Sequence, residues 1–346
     1  MARETLSPNN QSTLHENLQA GRVRPLYLFY GEERYLLDRA LERLREAVVA
    51  EGLDVFNYER LDGKVLTLEK LADAVESVPV MSEKRLVAVY DYDLYHAEES
   101  ARGKLADLFS ALPEQVCLVF VYDSLAYKED KRVKLHGVLE KCALAVRFDK
   151  TAGHALESFL REQFQSYGKS VSLADLGYMI HRCGDLMGPL AGEVNKIALY
   201  AKNERVTRGD IDAVSTQVLG AVVFDLTRAL FERRNQEAME ILQELSQEEP
   251  IAILGAVGKN LRELYAARLS LERGLGEREV MAITGCREYP ARLHLRAARR
   301  FPLAWCRRAV ILCARADRQL KTGAKDRDRV LEWLLAMLAA AGEKPV

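Results

Sequence analysis

The sequence predicts an α/β domain built on a parallel sheet, followed by two all-α domains. Three observations carry this reading. Short apolar runs alternate with helical periodicities up to about residue 150, the strand signal vanishes after Lys150, and the helical segments lengthen after Leu219. Strands that are apolar throughout and separated by helices belong to a parallel sheet covered on both faces. The 346 residues exceed one ordinary core, so several domains are expected. The boundaries fall at 1–149 for the α/β domain, 150–218 for a small helical domain and 219–346 for a larger one.

The α/β elements follow in order. Leu26 to Tyr30 is a short apolar and aromatic run ended by Gly31, which reads as a buried strand. Leu37, Ala40, Leu41, Leu44 and Val48 then recur at helical spacing. Val55 to Leu61 reads as the second strand, and Leu68, Leu71, Ala72 and Val75 mark the next helix. Leu86 to Tyr90, Val116 to Val121 and Leu144 to Phe148 are further strands, separated by helices near Ala101–Ala111 and Lys131–Cys142.

Beyond Lys150, Phe159, Gln163 and Tyr167 ride one helix, and Leu173, Leu176 and Ile180 another. Gly184-Asp185 reads as a stop followed by an N-cap. Leu190, Val194, Ile197 and Ala201 mark the following helix, with Pro189 in its first turn, and Thr207 caps a short one. Phe224–Arg233, Gln236–Leu245 and Pro250–Arg273 are helical. Ala309, Leu312, Cys313, Ala316 and Leu320 form the apolar face of a later helix, and the last helix spans about Lys325 to Ala341.

Composition excludes several classes. Hydrophobic residues are 49% and charged residues 29%, and the formal net charge is −1, so the whole chain is no magnet for polyanions. No apolar run reaches the length of a bilayer, and the first residues lack the apolar centre of a signal peptide, so a cytoplasmic protein is expected. The six cysteines have no C-x-x-C spacing and read as small buried side chains. No metal site, cofactor or catalytic residue is expected.

An α/β domain followed by a small helical domain is the plan of the AAA+ ATPases, whose phosphate chemistry has a recognisable signature. Glycine amides surround the phosphates, a Lys reaches the outer ones, and Ser/Thr holds magnesium. Here the first strand runs into Gly31-Glu32-Glu33-Arg34-Tyr35, which places two carboxylates where phosphate would sit. The third strand ends in Asp91-Tyr92-Asp93 without an adjacent acidic pair, and Met187 stands where nucleotide-binding relatives often carry a lid Arg. These absences argue against ATP hydrolysis.

At this point the sequence resembles the delta subunit family of the bacterial DNA polymerase III clamp loader. The resemblance lies in Leu28–Leu36, in Asp130–Leu135, in Gly184-Asp185-Leu186 with Glu193, Lys196 and Tyr200, in Phe224–Thr227 and in Asp317–Gly323. It implies an AAA+-like domain with a degenerate nucleotide site, a lid, and a collar that joins the other loader subunits, gamma/tau and delta-prime. It also implies a role in DNA replication at the nucleoid, as a non-catalytic subunit of a DNA-directed DNA polymerase holoenzyme. That subunit binds the sliding clamp (beta) and opens its ring for loading on primer-template DNA. The family's clamp-binding element falls here on Pro79, Val80 and Met81, where the family commonly has Leu-Phe for the last two. Read from the residues, Pro79 stops a helix and leaves two apolar side chains at a tip, the form of an interface anchor. The competing reading packs both under the strand.

Two further features need a place. Arg287 to Arg329 contains thirteen Arg/Lys against four Asp/Glu. Arg299, Arg300, Arg307 and Arg308 are its candidates for DNA or collar contacts, against the reading of a solvated helical face. Tyr90, Tyr92 and Tyr95 with Phe109 offer a platform for stacking bases, although Asp91 and Asp93 would repel phosphate. The rival functions are a working AAA+ ATPase or a nuclease or transferase using carboxylates such as Asp91 and Asp93, a helical adaptor that never touches the clamp, and a delta-prime-like stator subunit. The last usually carries a zinc-binding cysteine cluster and a Ser-Arg-Cys finger, and this sequence has neither.

Overall fold

A computed structural model describes residues 10–323 and 326–341. These form two compact units, residues 1–151 with 186–188, and residues 152–185 with 189–346.

The first unit opens with α1 (Gln11–Gln19), β1 (Leu26–Gly31), α2 (Arg34–Val48) and α3 (Asp54–Asn57). It continues with β2 (Tyr58–Asp62), α4 (Leu68–Glu76), β3 (Arg85–Tyr90), α5 (Glu99–Ser110) and β4 (Val116–Val121). It closes with α6 (Lys134–Cys142) and β5 (Ala143–Phe148). The five strands are all parallel in the order β2-β3-β4-β1-β5. Side chains alternate across the sheet because successive Cβ atoms point to opposite faces. Leu26 and Leu28 join Val87, Val89, Leu118 and Phe120 on one side. Tyr27 and Phe29 join Leu86, Ala88, Val119 and Val146 on the other, against Leu37, Leu41, Leu44 and Val48 of α2.

The second strand is shorter than the sequence reading. Val55 and Phe56 belong to the one-turn helix α3 and are exposed, and the strand begins at Tyr58. Helix α1 carries no strong pattern and escapes the sequence reading, although Leu14 is buried on the sheet's α2 side.

The second unit is helical: α7 (His154–Ser166), α8 (Leu173–Cys183), α9 (Met187–Tyr200), α10 (Arg208–Val214), α11 (Leu219–Phe231) and α12 (Asn235–Glu244). Then come α13 (Pro250–Glu272), α14 (Glu277–Thr284), α15 (Glu288–Ala298), α16 (Leu303–Lys321) and α17 (Arg327–Ala341). The first two residues of α9 pack with the first unit. In α7 the buried face is Leu156, Leu160 and Phe164, whereas Tyr167 is exposed beyond the helix end. Gly184 ends α8 at φ 89°, but Asp185 meets Arg287 at 2.9 Å. Thr207 caps α10 in a reciprocal capping box with Asp210. The long core runs along α13 and α16 and contains all five apolar positions read for the later helix. The Lys325 start read for the last helix lies outside the described residues. No single helix among the described residues is long and apolar enough to cross a membrane.

Within this unit His181 sits between Phe224 and Tyr289, at ring-centroid distances of 4.6 and 5.1 Å. Burial, followed by the charges of His294 and Arg228, pushes its pKa down to about 4. The unfolded chain therefore binds this proton more readily than the folded one. Stability is complete above the ordinary His range and falls as pH drops from about 6.5 toward 4. The contribution is at most about 3 kcal/mol. Urea melts between pH 7.5 and 5 are expected to show this slope, and His181→Phe, which keeps an aromatic ring, is expected to flatten it.

Candidate functional site

The loop after β1 is held by a buried carboxylate. Glu33, the residue before α2, is 1% exposed, and its amide donates to the Phe148 carbonyl at 3.0 Å. Its carboxylate accepts the amide of Met187 at 3.2 and 3.3 Å, and Met187 itself is buried. The residue before α2, where a helix N-terminus would favour a ligand anion, thus carries a buried carboxylate engaged with the Met187 amide. A triphosphate would meet this negative charge and would have to displace a buried hydrogen bond.

Asp91 and Asp93 are equally engaged. Asp91 has φ 54° and accepts the amides of Asp123, Ser124 and Leu125 at 2.8, 2.9 and 3.0 Å, together with the Ser124 hydroxyl. Burial pushes its carboxyl up, but these hydrogen bonds outweigh it and hold the carboxyl below the usual range. Asp93 accepts the amides of Tyr95 and His96. Both acids shape loops. Two rings of the tyrosine platform turn inward: Tyr95 and Phe109 are buried, and the Tyr95 hydroxyl meets Tyr127 and His136, whereas Tyr90 and Tyr92 are half-buried.

The segment between α4 and β3 is built differently. Helix α4 ends at Glu76, and Ser77 returns both its amide and hydroxyl to the Asp73 carbonyl. Val78 precedes Pro79, which disfavours further helix there. Val80 follows, then Met81 at φ 51°, a left-handed conformation uncommon for a residue with a flexible apolar side chain. Met81 is 88% exposed and Val80 43% exposed, so neither packs under the strand. The segment's far end is fixed by Lys84 on the Glu114 carbonyl at 2.7 Å and by Arg85 on Glu59 at 2.7 Å. The near side is fixed by Asn57, which exchanges two 2.8 Å hydrogen bonds with the backbone of Val80. The sequence reading misses Asn57, because it places that residue in a strand. The apolar pair Val55-Phe56 ahead of Asn57, out of step with strand alternation, is the signal available.

The four candidate arginines divide into two pairs. Arg299 and Arg300 follow α15, whereas Arg307 and Arg308 lie on α16, and all four are exposed. Arg300 lines a depression with Phe231 and Arg296. Arg307 and Arg308 line a separate one with Ile311, Arg315 and Trp333. None of the four forms an ion pair among the described residues, whereas Arg287, Arg292 and Arg327 do.

Two sequence models of one family match the chain. The model described as DNA polymerase III, delta subunit, covers residues 27–149, and that for the DNA polymerase III delta subunit, C-terminal domain, covers 221–338. A curated relative, DNA polymerase III subunit delta of Bacillus subtilis strain 168, is 25% identical over 337 residues, spanning 95% of this chain and 97% of its own. Among solved structures, the Bacillus subtilis DNA clamp loader delta protein shares the fold at a TM-score of 0.50. That match has 23% identity and covers 95% of this chain and 99% of the other. The chain belongs to the DNA polymerase III delta subunit family.

Proposed function

We propose that this clamp-loader subunit binds the sliding clamp through Pro79, Val80 and Met81 and opens its ring without hydrolysing ATP. One observation supports this above the others: an exposed apolar tip, with Met81 at φ 51°, stands on a backbone fixed from both sides. Side chains already held out in water need no rearrangement of the core to reach an apolar pocket, and anchors of this kind dominate interface energies. Opening requires tighter binding to the open ring than to the closed one, because a ligand shifts only the states it distinguishes. The experiment is surface plasmon resonance of the chain against its clamp, with the tip truncated.

In this reading residues 1–149 bind the clamp, 150–218 form a lid, and 219–346 form the collar that meets gamma/tau and delta-prime. The protein works at replication forks in the cytoplasm, as part of the polymerase holoenzyme. The buried Glu33 carboxylate supports a nucleotide site that is closed. Calorimetry is expected to detect no saturable binding of Mg-ATP by the isolated chain at micromolar concentrations; saturable heat would restore the ATPase reading.

The unpaired arginines support a contact with primer-template DNA in the assembled loader. Each phosphate contact releases counterions, so binding weakens with salt in proportion to their number. Reversing Arg299 and Arg300 to Glu is expected to lower the salt sensitivity of DNA binding by the loader. An unchanged slope would assign them to the solvated face.

A further inference from the structure

We propose that Asn57 is the positioning residue of the clamp-binding tip: its buried carboxamide fixes the Val80 backbone in the conformation that the clamp receives. This rests on the tip reading above and adds to it a residue that never touches the partner.

Helix α3 inverts the usual order of burial. Of its four residues only Asn57 is buried, at 0% exposure, while the apolar Val55 and Phe56 face solvent. Burying an amide in place of two hydrophobic side chains forgoes apolar burial, so the amide has a task that the core does not supply. That task is visible in the geometry. Nδ2 donates to the Val80 carbonyl and Oδ1 accepts the Val80 amide, each at 2.8 Å. Donor and acceptor on one planar group satisfy both backbone groups of Val80, as a neighbouring strand would. Asp supplies no donor while ionised, Leu supplies neither partner, and Gln carries its amide one methylene too far.

The position held matters more than the number of bonds. Val80 lies directly before Met81, whose φ of 51° is disfavoured for a residue with a Cβ and persists only where its surroundings impose it. Holding Val80 on both sides restricts the rotations that would relax Met81 toward ordinary extended backbone. Both side chains of the tip then face outward before any partner arrives. A tip without this hold samples many conformations, and the clamp must order it at the moment of binding.

The test compares wild type, Asn57→Asp, Asn57→Ala and the Val80→Ala/Met81→Ala tip variant at pH 7.5. It reads clamp affinity by surface plasmon resonance and amide exchange by NMR or mass spectrometry. In the wild type the Val80 amide is expected to exchange slowly for a residue at a surface tip. Asn57→Ala is expected to expose it to exchange, whereas Asn57→Asp keeps an acceptor for that amide and loses only the bond to the Val80 carbonyl. Both variants are expected to leave the amides of β2 and β3 protected and to bind the clamp about tenfold more weakly. Asn57→Asp leaves the Val80 carbonyl facing a carboxylate with no donor, so its loss tests the donated bond separately from the accepted one. The tip variant keeps the Val80 backbone bonds, so it separates the two claims. If it loses the clamp while both Asn57 variants bind normally, the positioning role is overturned and the tip reading stands. If the tip variant binds normally, the tip reading fails and the positioning role fails with it. Asn57 variants that lose β2 and β3 protection together with affinity would assign Asn57 to general stability and overturn the proposal.

Discussion

Truncating Val80 and Met81 together to Ala is expected to weaken binding to the sliding clamp by at least about 100-fold, at unchanged folding. At roughly 1.5–3 kcal/mol for a fully exposed side chain, covering the remaining surface of the pair contributes about 2–4 kcal/mol gross. Met81 has most of its surface in water and Val80 nearly half, so most of this area is free to be covered by a partner. Ordering two side chains and a short loop costs part of that gain, but the Asn57 bonds meet part of this cost before binding. Folding is insensitive because neither side chain belongs to a core cluster. The loss is expected in the dissociation rate, where truncated anchors act. An unchanged affinity with normal circular dichroism would place the anchor elsewhere, and a loss of folding would return both residues to the core.

Gly31→Ala is expected to be the most destabilising single exchange of its kind in the first unit, by about 4 kcal/mol or more. Gly31 has φ 137°, a region that residues with a Cβ rarely enter. An added Cβ would also overlap the backbone of Phe148, lying 2.6 Å from its carbonyl carbon, 2.7 Å from its nitrogen and closer still to its oxygen. These are backbone atoms of β5, the direct neighbour of β1, so no side chain can swing away. The same Phe148 carbonyl accepts the Glu33 amide, and any shift would disturb the buried carboxylate beside Met187. Urea titration followed by circular dichroism reads the effect. Tryptophan fluorescence reports separately on the second unit, which holds both Trp305 and Trp333. A change within about 1 kcal/mol would contradict the steric account.

The legible parts of the fold were those where burial dictates the residue. A strand buried on both faces must be apolar throughout, so Val116–Val121 declares itself. The apolar face of α16 does the same at helical spacing. Edges and short turns were less legible. Tyr58-Glu59-Arg60-Leu61-Asp62 forms the edge strand β2, paired only with β3, and buries just Leu61, so its sequence has no continuous apolar run to mark its start. Val55 and Phe56 have the composition of a strand but occupy one turn of helix whose inward residue is an Asn. Helices α14 and α15 are short, with few buried positions each; α14 escapes the sequence reading, and α15 falls inside the basic stretch that begins at Arg287.

The site divides along similar lines. The expectation of a degenerate nucleotide site rests on residue types in the loop after β1, because phosphate chemistry needs particular residues at fixed spacing. The tip was located by resemblance together with Pro79, and its solvent exposure required the fold. Asn57 stands 23 residues from Val80, a long-range pairing that no local pattern encodes. The hydrogen bond from Met187 to Glu33 spans 154 residues and is likewise a product of folding.

Native mass spectrometry of the intact chain mixed with its own sliding clamp tests the central claim most directly. The account predicts a complex with the wild-type chain in the absence of nucleotide, and its loss with the folded Val80→Ala/Met81→Ala variant. A wild-type chain that forms no complex, or a tip variant that forms it undiminished, would contradict the account.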